Sequence, residues 1–339
     1  MKILFIGGTG TISMAITRQI AAAGQELYIL NRGNRLTDLD GVHEIHADIH
    51  NEAQVKEKLQ GMKFDTVADF IAFTVSDLER DFRLFSGRTK QFIFISSASA
   101  YQKPPSDFLI TESTPLINPY WEYSRNKIAG EEFLMEKYRN EGFPVTIVRP
   151  SHTYDERRVP VAVHGAKGSY QVLARMLAGK PVIIPGDGTT FWTLTFNTDF
   201  AAGFIGLIGN PRALGQAVQI MVDERMSWNQ IYEIVADALG VKLSAVHIAS
   251  DFLGAAGKQN QYDFTGELIG DKAYPVLFDI SKLKRLVPTF RQKVTMQDGL
   301  RKAAVYIMSH SECRVPDPDF DSWCDAVIKA RNSALRLFS

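Results

Sequence analysis

Short runs of strand-like residues alternate with helical patterns along the first half of the chain. The runs occupy residues 3–6, 26–30, 42–49, 65–73 and 91–97. Apart from 42–49 they are mostly apolar, which is typical of strands buried on both faces of a sheet. Between the first two runs, Ile12, Ile16 and Ile20 recur at four-residue spacing, and Gly24 marks a predicted helix stop. The alternation predicts an α/β fold in which helices cover both faces of a doubly wound parallel sheet.

A glycine turn follows the first run and opens the first helical pattern. Gly7 and Gly10 come directly after residues 3–6, and the helix containing Ile12 begins at once. Glycines let the backbone approach a pyrophosphate, and the helix N-terminus offers unpaired N–H groups and a partial positive charge. Strand, glycine turn and helix in this order predict the phosphate site of a Rossmann-type dinucleotide fold. The alternative is an ordinary tight turn of an α/β domain.

The end of the second predicted strand bears on the choice between two cofactors. An acid at this position would hydrogen-bond the 2′-hydroxyl of NAD, whereas a nearby arginine accepts the 2′-phosphate of NADP. Here Asn31 ends the strand, and Arg32 and Arg35 follow it. The sequence therefore favours NADP over NAD. The alternative is that both arginines are solvated loop residues.

Composition argues against several kinds of partner. Lys plus Arg and Asp plus Glu both number 38 among 339 residues, so the formal net charge is zero. A balanced charge argues against a general nucleic-acid or membrane surface. The longest apolar stretch, residues 200–208, is far shorter than a membrane span. We expect a cytoplasmic protein that acts on a small molecule.

Histidines and cysteines do not form a predicted metal site. His43 and His46 would point to opposite faces of one strand, because side chains alternate along a strand. Cys313 and Cys324 form neither a metal-type cluster nor a disulfide framework. The sequence therefore predicts no metal and a reduced protein.

Three polar residues carry candidate chemistry at the ligand edge of the predicted sheet. Ser97 follows the fifth strand, and Tyr123 and Lys127 are four residues apart and therefore share one helix face. A phenol titrates near pH ~10, and a neighbouring ammonium together with an oxidised nicotinamide ring would lower that pKa. On spacing alone, however, two surface residues are the better interpretation of the tyrosine and lysine.

Several motifs in order along the chain resemble one known family. They are residues 7–13, 96–101, 123–127, 145–150, 180–188, 197–201 and 278–283. Together they resemble the extended short-chain dehydrogenase/reductases, the NAD(P)-dependent epimerase/dehydratase family. The resemblance implies that Tyr123 is the catalytic acid/base, that Lys127 is its partner and ribose anchor, and that Ser97 binds the substrate carbonyl. It also implies a homodimer through the helix that bears Tyr123.

The fold and the resemblance together predict the contacts of cofactor and substrate. The predicted cofactor contacts are Gly7, Gly10, Thr11, Ile12, Asn31, Arg32, Arg35, Asp48, Ile49, Ala72, Lys127 and Pro150. The predicted substrate contacts are Ser99, His152 and Trp192. Residues 1–155, with a returning segment near 180–222, are the predicted cofactor domain. Residues 156–339 are mainly a smaller substrate domain, in which 251–273 is a candidate lid.

Departures from the family pattern narrow the expected activity. Sugar 4,6-dehydratases carry carboxylates at the two positions after the active-site hydroxyl, where this chain has Ala98 and Ser99. Elimination of water needs an acid and a base beyond the tyrosine, so dehydration is not expected. His152 stands where sugar-nucleotide enzymes usually have an asparagine, and Phe191 and Trp192 stand where an arginine is common. The pattern therefore leaves open whether the substrate carries a nucleotide.

Two functions of different classes follow from these observations. The first is an NAD(P)-dependent oxidoreductase or epimerase that acts on a hydroxyl or carbonyl of a sugar or sugar-nucleotide-like substrate. The second is a non-catalytic NAD(P)-sensing or RNA-binding protein. Residues 7–13 and 31–33 also resemble an atypical branch that includes the chloroplast stem-loop binding proteins. The intact tyrosine, lysine and serine favour the enzyme.

Overall fold

The computed structural model describes residues 1–34 and 39–338. Its strands are β1 Lys2–Ile6, β2 Glu26–Asn31, β3 Val42–His46, β4 Thr66–Asp69, β5 Phe92–Ile95, β6 Leu109–Ile110, β7 Val145–Pro150, β8 His152–Tyr154, β9 Val182–Pro185, β10 Phe191–Trp192, β11 Leu194–Phe196, β12 Gln216–Ile220, β13 Met226–Ser227, β14 Ala245–Ile248 and β15 Leu277–Phe278. The five strands predicted for the first hundred residues are all present, and β3 and β4 end earlier than the sequence pattern suggests.

The α-helices are α1 Ser13–Ala22, α2 Glu52–Lys58, α3 Val75–Phe85, α4 Glu122–Glu141, α5 Tyr170–Leu177, α6 Asn197–Ile205, α7 Trp228–Ala238, α8 Ser250–Gly257, α9 Ser281–Leu286, α10 Met296–Ser309 and α11 Pro318–Leu335. Short 3₁₀ turns cover Ala98–Ala100, Pro211–Ala213, Lys258–Asn260 and Ser311–Cys313. Residues Thr265–Lys272 form a π-helix. Along the described residues, no helix is both long enough and apolar enough to span a membrane.

One large sheet organises the first two-thirds of the chain. Over the described residues it has seven strands in the order β12-β7-β5-β4-β1-β2-β3. Every neighbouring pair is parallel. The chain moves outward from β1 to β3 and then crosses to β4, so the order reverses between β1 and β4. This is the doubly wound, Rossmann-type sheet that the sequence predicts, and ligands of such sheets bind beyond the carboxyl ends at this reversal.

The side chains of β1 show why the sheet needs helices on both faces. Ile3 and Phe5 pack in the core that also contains Ile16 of α1, whereas Leu4 and Ile6 pack in a second core on the opposite face. All four strand residues are at most 1% exposed. Burial of a single apolar side chain contributes roughly 1.5–3 kcal/mol, so an apolar strand of this kind is stable only when both faces are covered.

Among the residues that the structure describes, four two-stranded sheets lie outside the large sheet, and most of their strands come from the later part of the chain. The small sheets pair β8 with β11, β9 with β14, β10 with β13 and β6 with β15. The β12 strand returns to the edge of the large sheet, where it pairs with β7 in parallel. The segment predicted as a lid contains α8 and the π-helix. The domain boundary after residue 155 and the mobility of the lid stay predictions.

Candidate active site

The glycine turn after β1 approaches its neighbours too closely for side chains. Gly7 and Gly8 have φ values of +95° and +93°, a backbone region that favours glycine. A Cβ at Gly7 would lie 3.1 Å from Ile71 Cγ2, and a Cβ at Gly8 would lie 3.1 Å from Ile29 Cδ1. The turn can therefore bring its backbone against a pyrophosphate where larger residues could not.

The start of α1 completes this turn. Ser13, which stands where a third glycine is common, is 1% exposed, and its Oγ accepts a 2.9 Å hydrogen bond from Gly10 N. Thr17 Oγ1 donates to Gly8 O at 2.8 Å, and Asn197 Nδ2 of α6 donates to Thr11 O at 3.3 Å. These bonds hold the turn from the helix side. The small serine therefore allows close packing of the helix against the strand.

A cavity of about 900 Å³ opens beside the turn at the carboxyl ends of β1 to β5. Of the predicted cofactor contacts, its lining contains Gly7, Gly10, Thr11, Ile12, Asn31, Arg32, Asp48 and Ile49. Arg35 lies outside the described residues, and Arg32 is exposed at the rim. Ala72 and Lys127 are buried beneath the cavity, and Pro150 lines a second cavity.

The residues of this cavity fit a dinucleotide. Asn31 Oδ1 accepts from Gly33 N at 2.7 Å, which fixes the amide, whereas Asn31 Nδ2 is buried and has no hydrogen-bond partner within the described part of the chain. A buried donor without a partner is costly, so a ligand acceptor at this position would stabilise it. The glycine turn and the unpartnered amide of Asn31 line one cavity, as binding of the phosphates and the adenosine ribose would require.

Lys127 projects from α4 into the sheet and is 3% exposed. Its Nζ donates to Ala72 O and to Ile95 O, each at 2.8 Å. Burial lowers the pKa of Lys127 to about 8, although the negative charge of Asp69 opposes this shift. An ammonium has three N–H donors, so one remains for a ligand after two have formed hydrogen bonds with the carbonyl oxygens.

Tyr123 lies one helical turn before Lys127 and is half-buried between aromatic side chains. Its ring centroid is 4.9 Å from that of Trp121 and 6.3 Å from that of Phe73. Burial raises the pKa of Tyr123, the negative charge of Asp271 raises it further, and the Ser97 hydroxyl opposes both. Lys127 Nζ lies 5.7 Å from the centre of the ring, over its face rather than at the hydroxyl.

The expectation that the neighbouring ammonium lowers the pKa of Tyr123 is therefore wrong for the protein alone. The charge of Lys127 is directed to two backbone carbonyls, and burial of the phenol dominates. The part of the expectation that concerns an oxidised nicotinamide ring stays a prediction.

Serine hydroxyls form a chain that ends at Ser97. Ser124 Oγ of α4 donates to Ser99 Oγ at 2.8 Å, and Ser99 Oγ lies 2.9 Å from Ser97 Oγ. Because Ser99 accepts from Ser124, its own hydroxyl hydrogen is available to Ser97. Ser97 can then direct its hydrogen to a substrate oxygen. Ser99 is 3% exposed, so it supports Ser97 as well as lining the site.

A second cavity of about 300 Å³ adjoins the first, and Ile12 lines both. Ser97 and Tyr123 line it, as do the three predicted substrate contacts Ser99, His152 and Trp192. The structure thus brings residues of α4, β8, β10 and the segment after β5 to one space, next to the cavity that fits the cofactor.

His152 is neutral at physiological pH. Burial lowers the pKa of His152 to about 3, and the positive charge of Lys272 contributes to the shift. Trp192 Nε1 donates to His152 Nδ1 at 3.4 Å, so the proton of the neutral ring is on Nε2. The pair replaces the asparagine and arginine that sugar-nucleotide enzymes usually carry. It offers a neutral hydrogen-bond donor, His152 Nε2–H, and has no charged side chain at the position where an arginine is common.

Sequence reasoning missed nine residues that line the second cavity. They are Ala98, Trp121, Ser151, Thr153, His164, Thr193, Asp271, Lys272 and Phe278. The glycine-rich pattern of residues 251–273 was the only signal for Asp271 and Lys272, and it indicated a lid without naming a side chain. No local pattern connects Asp271 with Tyr123, because 148 residues of chain separate them.

Known proteins resemble the chain in sequence and in fold. The model of the NAD dependent epimerase/dehydratase family matches residues 82–222. The 2′-dehydrokanamycin reductase of Streptomyces kanamyceticus is 25% identical over 295 residues, which cover 86% of this chain and 81% of that protein. The chloroplast stem-loop binding protein of 41 kDa b of Arabidopsis thaliana is 24% identical over 253 residues, 70% of this chain and 63% of that protein.

A solved structure shows the same fold. The UDP-glucuronic acid 4-epimerase of Bacillus cereus, in complex with NAD, aligns with a TM-score of 0.71 at 20% identity, covering 91% of this chain and 99% of that chain. Its agreement with the seven-stranded sheet confirms the predicted Rossmann-type architecture. Residues 82–222 thus resemble the NAD dependent epimerase/dehydratase family, and the relatives and the shared fold agree with this resemblance.

Proposed function

We propose that this protein catalyses reversible, NAD(P)-dependent oxidoreduction at a hydroxyl or carbonyl carbon of a sugar-like substrate. The observation that carries the proposal is the junction of the two cavities. Ser97 and Tyr123 line the smaller one, the glycine turn lines the larger one, and Ile12 is common to both. The names of the relatives, a reductase of an aminoglycoside ketone among them, support an enzyme of this class.

The cofactor, when bound in the larger cavity, would supply or accept a hydride. Tyr123 would donate its phenolic proton to a substrate carbonyl oxygen in reduction and accept the hydroxyl proton in oxidation. The raised pKa of Tyr123 keeps the phenol protonated before reaction, which suits proton donation in the reductive direction. Ser97, aligned by Ser99 and Ser124, would donate a hydrogen bond to the same oxygen.

Lys127 would position the cofactor rather than move the proton. Two of its three N–H donors bind Ala72 O and Ile95 O. These two hydrogen bonds fix the orientation of the ammonium group and therefore the direction of the third N–H. That donor would bind a ribose hydroxyl of the cofactor. We further propose that no dehydration occurs, because Ala98 and Ser99 offer no carboxylate at the positions that elimination uses.

The choice between NADP and NAD depends on Arg32. Arg32 is exposed and lines the larger cavity, at the end of β2 where an arginine can bind a 2′-phosphate. We therefore propose NADP. The Bacillus cereus epimerase was solved in complex with NAD, but that finding concerns the cofactor of that protein and not of this chain.

Tyr123→Phe tests the proposed mechanism. The variant retains the aromatic contacts with Trp121 and Phe73 but has no transferable proton. We expect NADPH binding, measured by fluorescence titration, to be unchanged. Turnover of 2′-dehydrokanamycin with NADPH, or of UDP-glucose with NAD⁺, should fall by about 10²–10⁴-fold. Unchanged turnover of a probe that the wild type converts would refute the role of Tyr123.

A second candidate function rests on the chloroplast stem-loop binding relative. The zero net charge of this chain argues against it, because phosphate contacts of RNA require a basic surface. Binding of a stem-loop RNA that weakens steeply with salt, together with no effect of Tyr123→Phe on any measured property, would favour this candidate over the enzyme.

A further inference from the structure

The π-helix Thr265–Lys272 is an unusual element at the edge of the candidate active site. π-Helices are rare, usually limited to a single turn, and frequent at functional sites. The last two residues of this one, Asp271 and Lys272, line the smaller cavity together with Ser97 and Tyr123. The element therefore brings one acidic and one basic side chain to the space proposed for the substrate.

Contacts on both sides hold the π-helix against the catalytic residues. A Cβ at Gly266 would lie 2.2 Å from Trp121 Cδ1, and a Cβ at Gly270 would lie 2.9 Å from Trp121 Cβ. Both glycines thus permit backbone contact with the tryptophan that packs on Tyr123. Asn118 Nδ2 donates to Ser99 O at 2.8 Å and to Gly270 O at 2.7 Å. These contacts fix Asp271 relative to both Tyr123 and Ser99.

The charges of the π-helix are not equally available to a ligand. Lys272 Nζ is 2.8 Å from Glu267 Oε2, so the positive charge of Lys272 is already compensated by an ion pair within the π-helix. Asp271 Oδ1 is 3.7 Å from Lys103 Nζ, which is an ion pair but too long for a hydrogen bond. The Asp271 side chain is 17% exposed, whereas that of Lys103 is 2% exposed. The carboxylate can therefore still accept a hydrogen bond from a molecule in the cavity.

We propose that Asp271 binds the substrate by accepting a hydrogen bond from a hydroxyl or ammonium group of a single sugar ring. The inference rests on the proposed function and adds a specificity residue to it. The cavity, at about 300 Å³, is at the lower end of the range for ligand pockets, which suits one ring rather than a complete nucleotide sugar. Trp121, Trp192 and Phe278 line the same space and offer apolar surface to the ring.

The test compares sugar binding to the NADPH complexes of the wild type, Asp271→Asn and Asp271→Ala. The probes are glucose, glucosamine and UDP-glucose, each titrated by calorimetry. We expect Asp271→Ala to weaken binding of the best-binding probe at least tenfold, equivalent to about 1.4 kcal/mol, while the affinity for NADPH stays the same. If the donor is a hydroxyl, the asparagine retains part of the affinity; if it is an ammonium, both variants lose any preference for glucosamine over glucose.

Asp263→Asn is the matched control. Asp263 is exposed on the same segment, is not among the residues that line the cavity, and its Oδ1 accepts from Gly266 N at 2.9 Å. The control loses the same charge and should bind every probe as the wild type does. The double variant Lys103→Met with Asp271→Asn removes both charges of the buried ion pair, so that neither is left without a partner. It is used in place of any single Asp271 variant that fails to fold.

The outcomes separate this inference from the proposed function. Unchanged binding of a sugar in all Asp271 variants overturns the role of Asp271 and leaves the proposed function intact. Binding of NADPH without saturable binding of any probe to the wild type overturns the sugar class itself and the inference with it. An equal loss in Asp263→Asn assigns the effect to the charge of the segment and also overturns the role of Asp271.

Discussion

Replacing Lys127 by methionine separates the energetic cost of the buried ammonium from its proposed role. The substitution retains the length of the side chain but removes two hydrogen bonds, to Ala72 O and Ile95 O. Hydrogen bonds from a charged donor contribute about 1.5–3 kcal/mol each, so the loss is about 3–6 kcal/mol. Burial lowers the pKa of Lys127 from 10.5 to about 8. That shift corresponds to about 3 kcal/mol of unfavourable charging at neutral pH, which methionine removes.

The two effects largely cancel, so we expect Lys127→Met to reduce the free energy of unfolding by no more than about 3 kcal/mol. The pH dependence gives a sharper test. Between the folded pKa of about 8 and the ordinary value of 10.5, the unfolded wild type keeps a proton that the folded protein has lost. The free energy of unfolding of the wild type should therefore rise with pH across this window, relative to the variant.

Urea unfolding of both proteins at several pH values measures this difference. Lys137→Met is the matched control, because Lys137 lies on the same helix and its pKa is raised by Glu141 rather than lowered. NADPH binding by Lys127→Met should weaken about tenfold or more, since the third donor is lost. The free energy of unfolding of the wild type minus that of Lys127→Met should rise between pH ~8 and ~10. If this difference stays constant or falls, the lowered pKa of Lys127 is refuted. Undiminished NADPH binding would refute the ribose contact.

Two further predictions concern stability and cofactor choice. Glu131→Gln should lower the free energy of unfolding by about 3–5 kcal/mol in urea, because it leaves Arg149 buried without its charged partner. The two side chains are 4% and 5% exposed, and a loss below about 1 kcal/mol would contradict this. Arg32→Ala should weaken NADPH binding about tenfold and leave NADH binding unchanged in fluorescence titrations. An equal effect on both cofactors would assign Arg32 to a part of the dinucleotide that they share.

Local patterns were sufficient for the parts of the site that lie near each other in sequence. The apolar run of β1 and the glycines after it predicted the phosphate turn, because strand, turn and helix are contiguous. The four-residue spacing of Tyr123 and Lys127 predicted a shared helix face, and the structure confirms that both lie on α4. The family resemblance then supplied their proposed roles, which spacing alone did not distinguish from two surface residues.

Sequence alone thus predicted the order of strands and helices, the glycine turn after β1 and the shared helix face of Tyr123 and Lys127, because each depends on residues that are close together along the chain. Only the tertiary structure determined which groups the charged side chains of Lys127 and Asp271 contact. Lys127 donates hydrogen bonds to two backbone carbonyl groups and not to the hydroxyl of Tyr123, because the chain after β4 and the end of β5 lie beside it. Asp271 reaches the cavity of Tyr123 because Gly266 and Gly270 allow a distant helix to pack on Trp121, and no local periodicity records such a contact.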